Sequence, residues 1–598
     1  MKSNKLKAKL PKSDKSARVS TRCSEGNPTA LEITTLVALF TEGRYNEAEK
    51  LALMLTERFP SHGFGWTVLG AVFKQTGRST DALMPMQKAV TLVPKDADAN
   101  YNLGVAYQDL GRLAEAEASY RRVLQLKPEY AKAHSHLGNV LRSTGRLDEA
   151  EDSYRRALVI MPESSTTHYN LGVTLADMSR LHEAEASYRR ALQIKPDLAE
   201  ALFNLGQTLY YLDDLSHSIE VFQKTFECDP FNRGVDAAIY LATLCYLDGD
   251  IEQCQNHLLA SKPILEKADI KHKSTRIYWR YLDKLRSRYR QLDRKDYQTQ
   301  GKRTLHVIGE SHSLTAHGVV VRYHDQEMQC AVEWIEGCKQ WHLGNNKPNK
   351  YKHKFEAVMA RLPPRSTILL TIGEIDCRHD EGIIKAWKKY PDKSLAEVIR
   401  STVEGYINYV AAIGERYGHR IIMGGVSAPN ISFDTLTAAE AAQFVNLITV
   451  FNSTLMEFAL AAGMDFLDVY SLTDRGDGIA SGQLHIDNYH LLPCAVTEAF
   501  AKHCTQSPMA ANFMRANSIL PPPKGGVFHW KETEMPIIKI DDIDYELDAL
   551  SEEAKAQLAS LQFVDAELAR LNALTAVCQT ARNTYSAALK ELLPKSLS

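Results

Sequence analysis

The sequence predicts a multidomain chain in which an all-α repeat array precedes an α/β domain and a small C-terminal domain. Prolines recur every 34 residues between positions 60 and 230. Short apolar runs then alternate with helical patterns from 304 to about 510, and a Pro/Gly-rich stretch near 521 precedes a last apolar pattern. At 598 residues the chain is long enough for several domains.

Composition narrows the classes of function. The formal net charge is −2, so no global basic field favours nucleic acid as a partner. No apolar run reaches the roughly 20 residues that span a bilayer, so we expect no membrane span. The ten cysteines are scattered without a zinc-type spacing, which indicates reduced thiols in a cytoplasmic protein.

Residues 1–28 are polar and rich in Lys and Arg, without the apolar stretch of a secretory signal. This composition predicts a disordered basic arm. A solvated tail is the simpler interpretation, and a nucleic-acid or membrane contact is the alternative.

In residues 29–262, other residue types recur with the same 34-residue period as the prolines. The residues in phase include Pro60, Pro94, Pro128, Pro162, Pro196, Pro230 and, within one repeat, Leu103, Gly104, Gly111, Ala116 and Tyr120. The pattern resembles the tetratricopeptide repeat (TPR), in which two amphipathic helices pack at small residues and proline ends the second. It predicts a TPR superhelix with a degenerate capping pair at 231–262. Ser179 and Asp213 replace the turn glycine, so we expect those turns to be less ideal.

Four repeats carry a polar residue just before the Leu-Gly pair. These residues are Asn102, His136, Asn170 and Asn204. In the similar repeats of O-linked N-acetylglucosamine transferases, asparagines in this slot line the concave face and hold peptide backbone. The resemblance therefore implies a groove for a protein or peptide, and an amide can both donate to and accept from such a backbone. Ordinary polar helix positions are the alternative interpretation.

Residues 263–303 form a Lys/Arg-rich connector. Apolar residues at helical spacing predict at least one more helix there. The basic run 286–294 is either a solvated helix face or a contact for an anionic partner.

Residues 304–510 alternate between strand and helix patterns. The candidate strands are 304–308, 329–335, 367–372, 420–426 and 465–469, and the candidate helices are 350–361, 394–417, 437–462 and 494–504. Five such strands predict a parallel sheet covered on both faces. Ligands of such sheets bind at the carboxyl ends of the strands.

Polar motifs occupy those ends. They are Gly309-Glu310-Ser311, Gly373-Glu374-Ile375-Asp376-Cys377-Arg378 and Asp487-Asn488-Tyr489-His490. A serine becomes nucleophilic when an imidazole takes its proton, and a carboxylate can orient that imidazole. The layout resembles the SGNH/GDSL hydrolase family, which implies a three-layer α/β/α flavodoxin-like fold. It also implies Ser311 as nucleophile, His490 as general base and Asp487 as the orienting acid.

One motif departs from the family pattern. Ile375 stands where the family has an asparagine that completes the oxyanion hole, and isoleucine cannot donate a hydrogen bond. Losing such a donor costs on the order of 100- to 1,000-fold in rate. Arg378 is the candidate replacement, with a salt bridge as its alternative role. Gly309, Gly337 and Gly373 are the other oxyanion or substrate candidates.

Further polar residues lie near these motifs. We interpret His312 and His485 as exposed loop histidines, although either could contact substrate. The spacing of Glu310, Glu374, Asp376 and the neighbouring histidines matches no specific metal site, so the sequence predicts no metal and no other cofactor.

The C-terminal part begins with a linker at 511–535. Residues 536–598 then predict a β-hairpin followed by a long helix with a partial heptad pattern. This segment resembles a small bacterial and phage domain of unknown function. A dimeric coiled coil, which would make a homo-oligomer, competes with a helical hairpin, and we expect oligomerisation or docking.

Three functional hypotheses follow. The first is a cytoplasmic, bacterial, TPR-recruited SGNH-type serine esterase or acyl-transfer enzyme acting on a small ester or glycan, such as a carbohydrate O-acetyl ester. The second is a non-catalytic interaction scaffold with a degenerate SGNH domain, which Ile375 favours. The third is an accessory factor in protein or polysaccharide glycosylation, which only the repeat type suggests.

Overall fold

The computed structural model describes residues 26–267, 273–289, 303–324, 326–377, 382–390, 392–430, 437–476, 479–486, 490–503, 537–540 and 543–546. The chain divides into two units, residues 1–509 and 510–598. Most of the predicted basic arm, the linker at 511–535 and the predicted C-terminal helix lie outside the described residues.

The first half of the chain consists of antiparallel helix pairs. The helices are α1 (Ala30–Thr41), α2 (Tyr45–Arg58), α3 (Gly63–Gln75), α4 (Ser79–Leu92), α5 (Ala97–Asp109), α6 (Leu113–Leu126), α7 (Ala131–Ser143), α8 (Leu147–Ile160), α9 (Ser165–Asp177), α10 (Leu181–Ile194), α11 (Ala199–Tyr211), α12 (Leu215–Cys228), α13 (Arg233–Leu247) and α14 (Ile251–Lys267). The next helix is α15 (Lys273–Tyr289). The predicted repeat superhelix is confirmed.

Packing within a pair explains the in-phase residues. A Cβ atom added at Gly138 of α7 would lie 2.7 Å from the Tyr154 ring of α8, so the pair closes only around glycine. The turn between these helices places Gly145 at φ +78°. Ser179 and Asp213 adopt φ +62° and +64° in the equivalent turns. As predicted, these two turns hold side chains in a conformation that favours glycine.

The second half contains a six-stranded sheet. Its strands are β1 (Arg303–Gly309), β2 (Val320–Tyr323), β3 (Gln326–Trp334), β4 (Thr367–Thr371), β5 (Arg420–Gly424) and β6 (Asp465–Leu467), in the order β2-β3-β1-β4-β5-β6. The helices are α16 (Gln340–Gly344), α17 (Lys350–Arg361), α18 (Gly382–Trp387), α19 (Leu395–Tyr417), α20 (Ala438–Ala461), α21 (Tyr470–Thr473) and α22 (Pro493–His503), with 3₁₀ helices at Ser311–Ala316 and Ile375–Cys377. The second unit holds the hairpin β7 (Ile537–Ile540) and β8 (Ile543–Glu546).

The sheet is mixed rather than purely parallel. Strand β2 runs antiparallel to β3, and the remaining neighbours are parallel. The sequence predicted five parallel strands and missed β2. That strand has four residues, of which only Val321 and Tyr323 are buried, too few to establish a period-two pattern.

The two faces of the sheet have different cover. Ile308 and the residues that share its face pack against α17, α19 and α20. Leu305 and Trp334 face the other side, where the cover includes α22 and helices of the repeat array. Tyr240 of α13 and Tyr281 of α15 belong to that same apolar core. The last repeat helices therefore complete the core of the sheet, so the connector is an integral part of one folded unit.

Charged and polar contacts reinforce this junction. Asp213 of the repeat turn contacts Lys354 Nζ at 2.5 Å and Arg361 Nε at 2.6 Å. Tyr240 donates its hydroxyl hydrogen bond to Glu336. Burial raises the pKa of Glu336 to about 7, so this carboxyl holds its proton far more strongly than an exposed one.

One segment of the described chain, Glu440–Ala461 in α20, is long and apolar enough to cross a membrane. The expectation of no such run therefore needs correction. Leu447, Phe451 and Leu455 of this helix are fully buried against the sheet. A core helix of a globular domain passes the same test of length and composition.

Candidate functional site

Ser311 lies at the carboxyl end of a central strand. Strand β1 ends at Gly309, and Ser311 begins the 3₁₀ helix that follows. A Cβ atom at Gly309 would lie 2.1 Å from Thr371 Oγ1 of the adjacent strand, so only glycine fits there. The close approach of β1 and β4 thus fixes the turn that presents the serine.

His490 reaches Ser311 from a distant part of the chain. Its Nε2 lies 3.0 Å from Ser311 Oγ, across 179 residues of sequence. A tight turn holds it there, since the Ile486 amide donates to the His490 carbonyl at 2.7 Å. Thr315 of the 3₁₀ helix also donates to the Leu491 carbonyl at 2.5 Å, which ties the two motif loops together. The structure thus brings this predicted pair within hydrogen-bond distance.

The serine hydroxyl has a second possible acceptor. Ser311 Oγ lies 3.2 Å from Glu310 Oε2. Because a hydroxyl carries one proton, Ser311 donates either to Glu310 or to His490. Only donation to neutral His490 prepares the oxygen for attack. The Ser311 hydroxyl therefore has one imidazole and one carboxylate acceptor within hydrogen-bond distance.

Two aromatic rings sandwich His490. Tyr281 of α15 stacks on one face with ring centroids 3.7 Å apart, and His312 lies on the other face at 4.5 Å. The Tyr281 hydroxyl also donates to the Ser311 carbonyl at 2.9 Å. Sequence reasoning missed Tyr281, because its only signal was an apolar helical pattern in the connector.

A charged cluster adjoins the serine. His312 Nδ1 lies 3.1 Å from Glu310 Oε1 and 3.8 Å from Glu374 Oε2. One potential ligand atom from each of these three residues lies within 4.8 Å of the others, so the group could hold a metal ion. An imidazole with two carboxylates suits a divalent transition metal. The sequence prediction of no metal considered sequence distance alone, and it stays a prediction although these three side chains converge.

The two loop histidines are not exposed, contrary to the prediction. His312 is half-buried within this cluster, and His485 is only 9% exposed. His485 pairs with Leu491 in an isolated bridge that closes the turn before and after His490. His312 therefore belongs to the site, while the backbone of His485 shapes the loop that presents it.

The third motif contributes structure as well as charge. Gly373 has φ +149°, and a Cβ there would lie 2.9 Å from Gln340 Nε2. Asp376 is buried, and its carboxylate accepts a hydrogen bond of 2.7 Å from the backbone amide of Gln340, the first residue of α16. Burial raises the pKa of Asp376 to about 7. This carboxyl therefore anchors α16.

The remaining predicted site residues have different outcomes. Gly337 lies in the turn after β3 with φ +64°. Asp487 and Arg378 lie outside the described residues, as does the side chain of Ile375. The predicted orienting acid and replacement oxyanion donor therefore stay predictions.

An apolar cavity of ≈ 70 Å³ adjoins the charged cluster. His312 and Glu374 line its polar edge, and Val426, Leu467 and Val469 are among its apolar walls. It opens among the carboxyl ends of β4, β5 and β6, where parallel sheets bind ligands.

The repeat array presents the second candidate site. Asn102, His136, Asn170 and Asn204 occupy the first helices of consecutive repeats, and each is half-buried. Asn170 Nδ2 donates to Asn139 Oδ1 at 2.9 Å, and Asn204 Nδ2 contacts the Tyr169 hydroxyl at 3.3 Å. These contacts connect neighbouring repeats in a polar strip that retains amide groups at the surface.

Comparison with known proteins supports the repeat assignment. Family models described as tetratricopeptide repeat match residues 72–131 and 101–165, and another match covers residues 163–230. The chain carries tetratricopeptide repeats. The matched ranges include the residues of the polar strip. Tetratricopeptide repeats as a class suggest a role in protein–protein interaction.

Several solved structures are similar to part of the chain. The structure titled as PilF of Pseudomonas aeruginosa is 19% identical, with 37% of this chain and 96% of that chain covered and a TM-score of 0.32. MamA is 22% identical over 27% and 95% of the two chains, with a TM-score of 0.26. YrrB, titled a TPR protein with an unusual peptide-binding site, is 21% identical over 30% and 92%, with a TM-score of 0.27. No curated protein matches the chain.

Proposed function

We propose that this protein is a cytoplasmic interaction scaffold whose TPR groove binds a protein or peptide partner. The polar strip of Asn102, His136, Asn170 and Asn204 is the observation that carries the proposal. Amides at a regular repeat spacing can pair with the regularly spaced donors and acceptors of an extended peptide backbone. The free thiols of the described cysteines are compatible with a reducing compartment.

Affinity purification of the full chain tests the scaffold. The double variant Asn170→Ala/Asn204→Ala should lose partners that the unchanged protein captures, because it removes two adjacent amides of the strip. The matched control is Gln125→Ala/Gln193→Ala, which removes two exposed amides from the second helices of repeats. Captured proteins are identified by mass spectrometry, and the affinity of each is measured by calorimetry. Unchanged capture by the groove variant would contradict a groove-bound partner.

We also propose SGNH-type acyl transfer at Ser311 as a second function. The distance of 3.0 Å between Ser311 Oγ and His490 Nε2 favours it. The five parallel strands follow the order β3-β1-β4-β5-β6, which is the 2-1-3-4-5 order of flavodoxin-like sheets. Both observations support a three-layer SGNH-like domain around the pair.

The chemistry would proceed in two steps. His490 takes the Ser311 proton as the oxygen attacks an ester carbonyl, and the resulting imidazolium then protonates the leaving alcohol. In the second step, water or another acceptor gives its proton to His490 as it attacks the carbonyl of acyl-Ser311. The imidazolium then returns that proton to Ser311 Oγ as the bond from the acyl group to Ser311 breaks. The cavity of ≈ 70 Å³ favours a short acyl group, such as the acetyl of a carbohydrate ester.

A fluorophosphonate probe tests this chemistry directly. The unchanged protein should be labelled and should release acetate from small acetyl esters, whereas Ser311→Ala should do neither. Ser401→Ala is the control, because it removes an exposed serine of α19. If the unchanged protein showed neither labelling nor ester turnover, the second function would be excluded and the scaffold would stand alone.

A further inference from the structure

Helix α15 covers the Ser311–His490 pair from the side of the repeat array. Tyr281, which is fully buried, stacks on the His490 ring at 3.7 Å with an interplanar angle of 15°. The same side chain donates its hydroxyl to the Ser311 carbonyl at 2.9 Å. One tyrosine therefore contacts both members of the pair at once.

A second residue of α15 holds the histidine loop. Lys284 Nζ donates to the Ile486 carbonyl at 3.1 Å. Tyr281 and Lys284 are three residues apart, so they share one face of the helix. Since Ile486 also closes the turn around His490, this helix face contacts the serine loop and the histidine loop together.

Other residues fix α15 to the repeat array. Trp279 Nε1 donates to the Leu258 carbonyl of α14 at 2.8 Å. Thr275 Oγ1 donates to Asp236 Oδ1 of α13 at 3.0 Å. The helix is thus bonded to the last repeat pair and to both motif loops, so its position depends on the repeats.

We infer that Tyr281 is a positioning residue through which the repeat array sets the orientation of His490 toward Ser311. This inference rests on the proposed acyl transfer. The Tyr281 ring lies parallel to the imidazole at 3.7 Å, so rotation of the His490 ring about its Cβ–Cγ bond would drive the two rings into each other, and the stack restrains that rotation. The hydroxyl bond to the Ser311 carbonyl fixes the serine backbone relative to the same ring. Both effects keep Ser311 Oγ and His490 Nε2 in the relative orientation that proton transfer requires.

The test compares Tyr281→Ala with Tyr281→Phe. The alanine variant loses the ring and the hydroxyl, whereas phenylalanine keeps the stack and loses only one hydrogen bond. Tyr406→Phe is the matched control, since Tyr406 is fully buried in the core of the sheet on the opposite face. Each full-length variant is labelled with a fluorophosphonate across pH 5–9, and its histidine ring signals are followed by NMR, with His490 assigned through His490→Asn.

We expect labelling by Tyr281→Ala to slow on the order of 100-fold, because a misplaced base loses its near-attack geometry. Its pH midpoint should rise, since opening one face of His490 to water favours the charged ring. Tyr281→Phe should restore the midpoint and slow labelling by about threefold. The control should match the unchanged protein. A general loss of folding would lower the labelled fraction without moving the midpoint.

The NMR arm separates failure of this inference from failure of the catalytic proposal. If the unchanged protein is never labelled, acyl transfer is excluded, but a large His490 signal change in Tyr281→Ala alone still supports the stacking role. If His490 signals and the labelling midpoint both match the unchanged protein in Tyr281→Ala, Tyr281 does not position His490 and the inference is overturned.

Discussion

The repeat array and the sheet region acquire their functional residues in different ways. In the repeats, contacts join residues of neighbouring repeats, as between Asn170 and Asn139, 31 residues apart. At the sheet, Ser311 and His490 meet across 179 residues. Spacing therefore predicts the groove residue by residue, whereas the serine site exists only after several elements converge.

The junction nevertheless places the two regions in one compact unit. Repeat helices supply Tyr240 and Tyr281 to the core of one sheet face. A substitution in the repeats can therefore have either a local effect or an effect on the site, according to the repeat that carries it.

The largest expected effect is confined to the sheet region. His490→Asn should lower fluorophosphonate labelling by about 1,000-fold or more, because it removes the imidazole whose Nε2 lies 3.0 Å from Ser311 Oγ. Partner capture through the repeats should be unchanged. Loss of capture in this variant would show that groove and site are not separable.

The second prediction concerns the response of each region to pH. The folded-state pKa of Asp376 is about 7, above its unfolded value near 4, because burial disfavours the charged form. Its stabilisation is therefore fully present below about pH 4 and is lost as pH rises through 7. This loss amounts to about 4 kcal/mol. In the repeats, the hydrogen bond from Arg146 lowers the pKa of Glu149. The contribution of Glu149 to stability is therefore lost as pH falls, which is the opposite of the dependence for Asp376.

Urea unfolding at pH 4.5 and pH 7.5 measures this difference. Asp376→Asn should weaken the pH dependence of unfolding, because an asparagine does not titrate. Its side-chain oxygen can still accept from the Gln340 backbone amide, so the contact with α16 is kept. Glu336, a half-buried carboxyl whose pKa is raised to about 7 by its loss of solvent, should leave a residual slope of the same sign. An unchanged slope in Asp376→Asn would show that this carboxyl is ionised in the folded protein at pH 7.5 without cost.

Sequence reasoning succeeded where local pattern decides structure. The predicted strand 304–308 and helix 350–361 agree closely with β1 and α17, since apolar periodicity and caps act over a few residues. It failed for β2, which is too short to show a period. It also missed the cluster of His312 with Glu310 and Glu374, because two loops must meet before those charges share a site.

Some residues of the serine site were indicated by the sequence, and others were found only in the structure. Chain order and residue type predicted that Ser311 and His490 lie close together as nucleophile and general base. Nothing in the sequence marked Tyr281, because its role depends on α15 lying against both motif loops. The sequence therefore indicated the reacting groups, while the residues that orient them required the fold.

The third prediction tests a repeat position that the sheet region uses. Asp213→Gly should lower the free energy of unfolding by about 2 kcal/mol, although it relieves a left-handed residue at φ +64°. The reason is that Asp213 pairs with Lys354, whose side chain is only 3% exposed, and an unpaired buried cation is costly. The double variant Asp213→Gly/Lys354→Met should recover most of the loss. A stabilising Asp213→Gly would show that the ion pair contributes nothing.

The smallest expected effect comes from the equivalent turn one repeat earlier. Ser179 has φ +62°, and its hydroxyl makes a long contact of 3.3 Å with the Pro348 carbonyl. Ser179→Gly should raise the stability of the repeats by about 0.5–1 kcal/mol, since relief of backbone strain outweighs that contact. Gly145→Ala, which introduces the strain at φ +78°, should lower stability by about 1 kcal/mol. Urea unfolding measures both. If Ser179→Gly were instead destabilising, the hydrogen bond from Ser179 to the Pro348 carbonyl would contribute to stability between the repeats and the sheet region. The Ser179 turn would then resemble the Asp213 turn rather than the Gly145 turn.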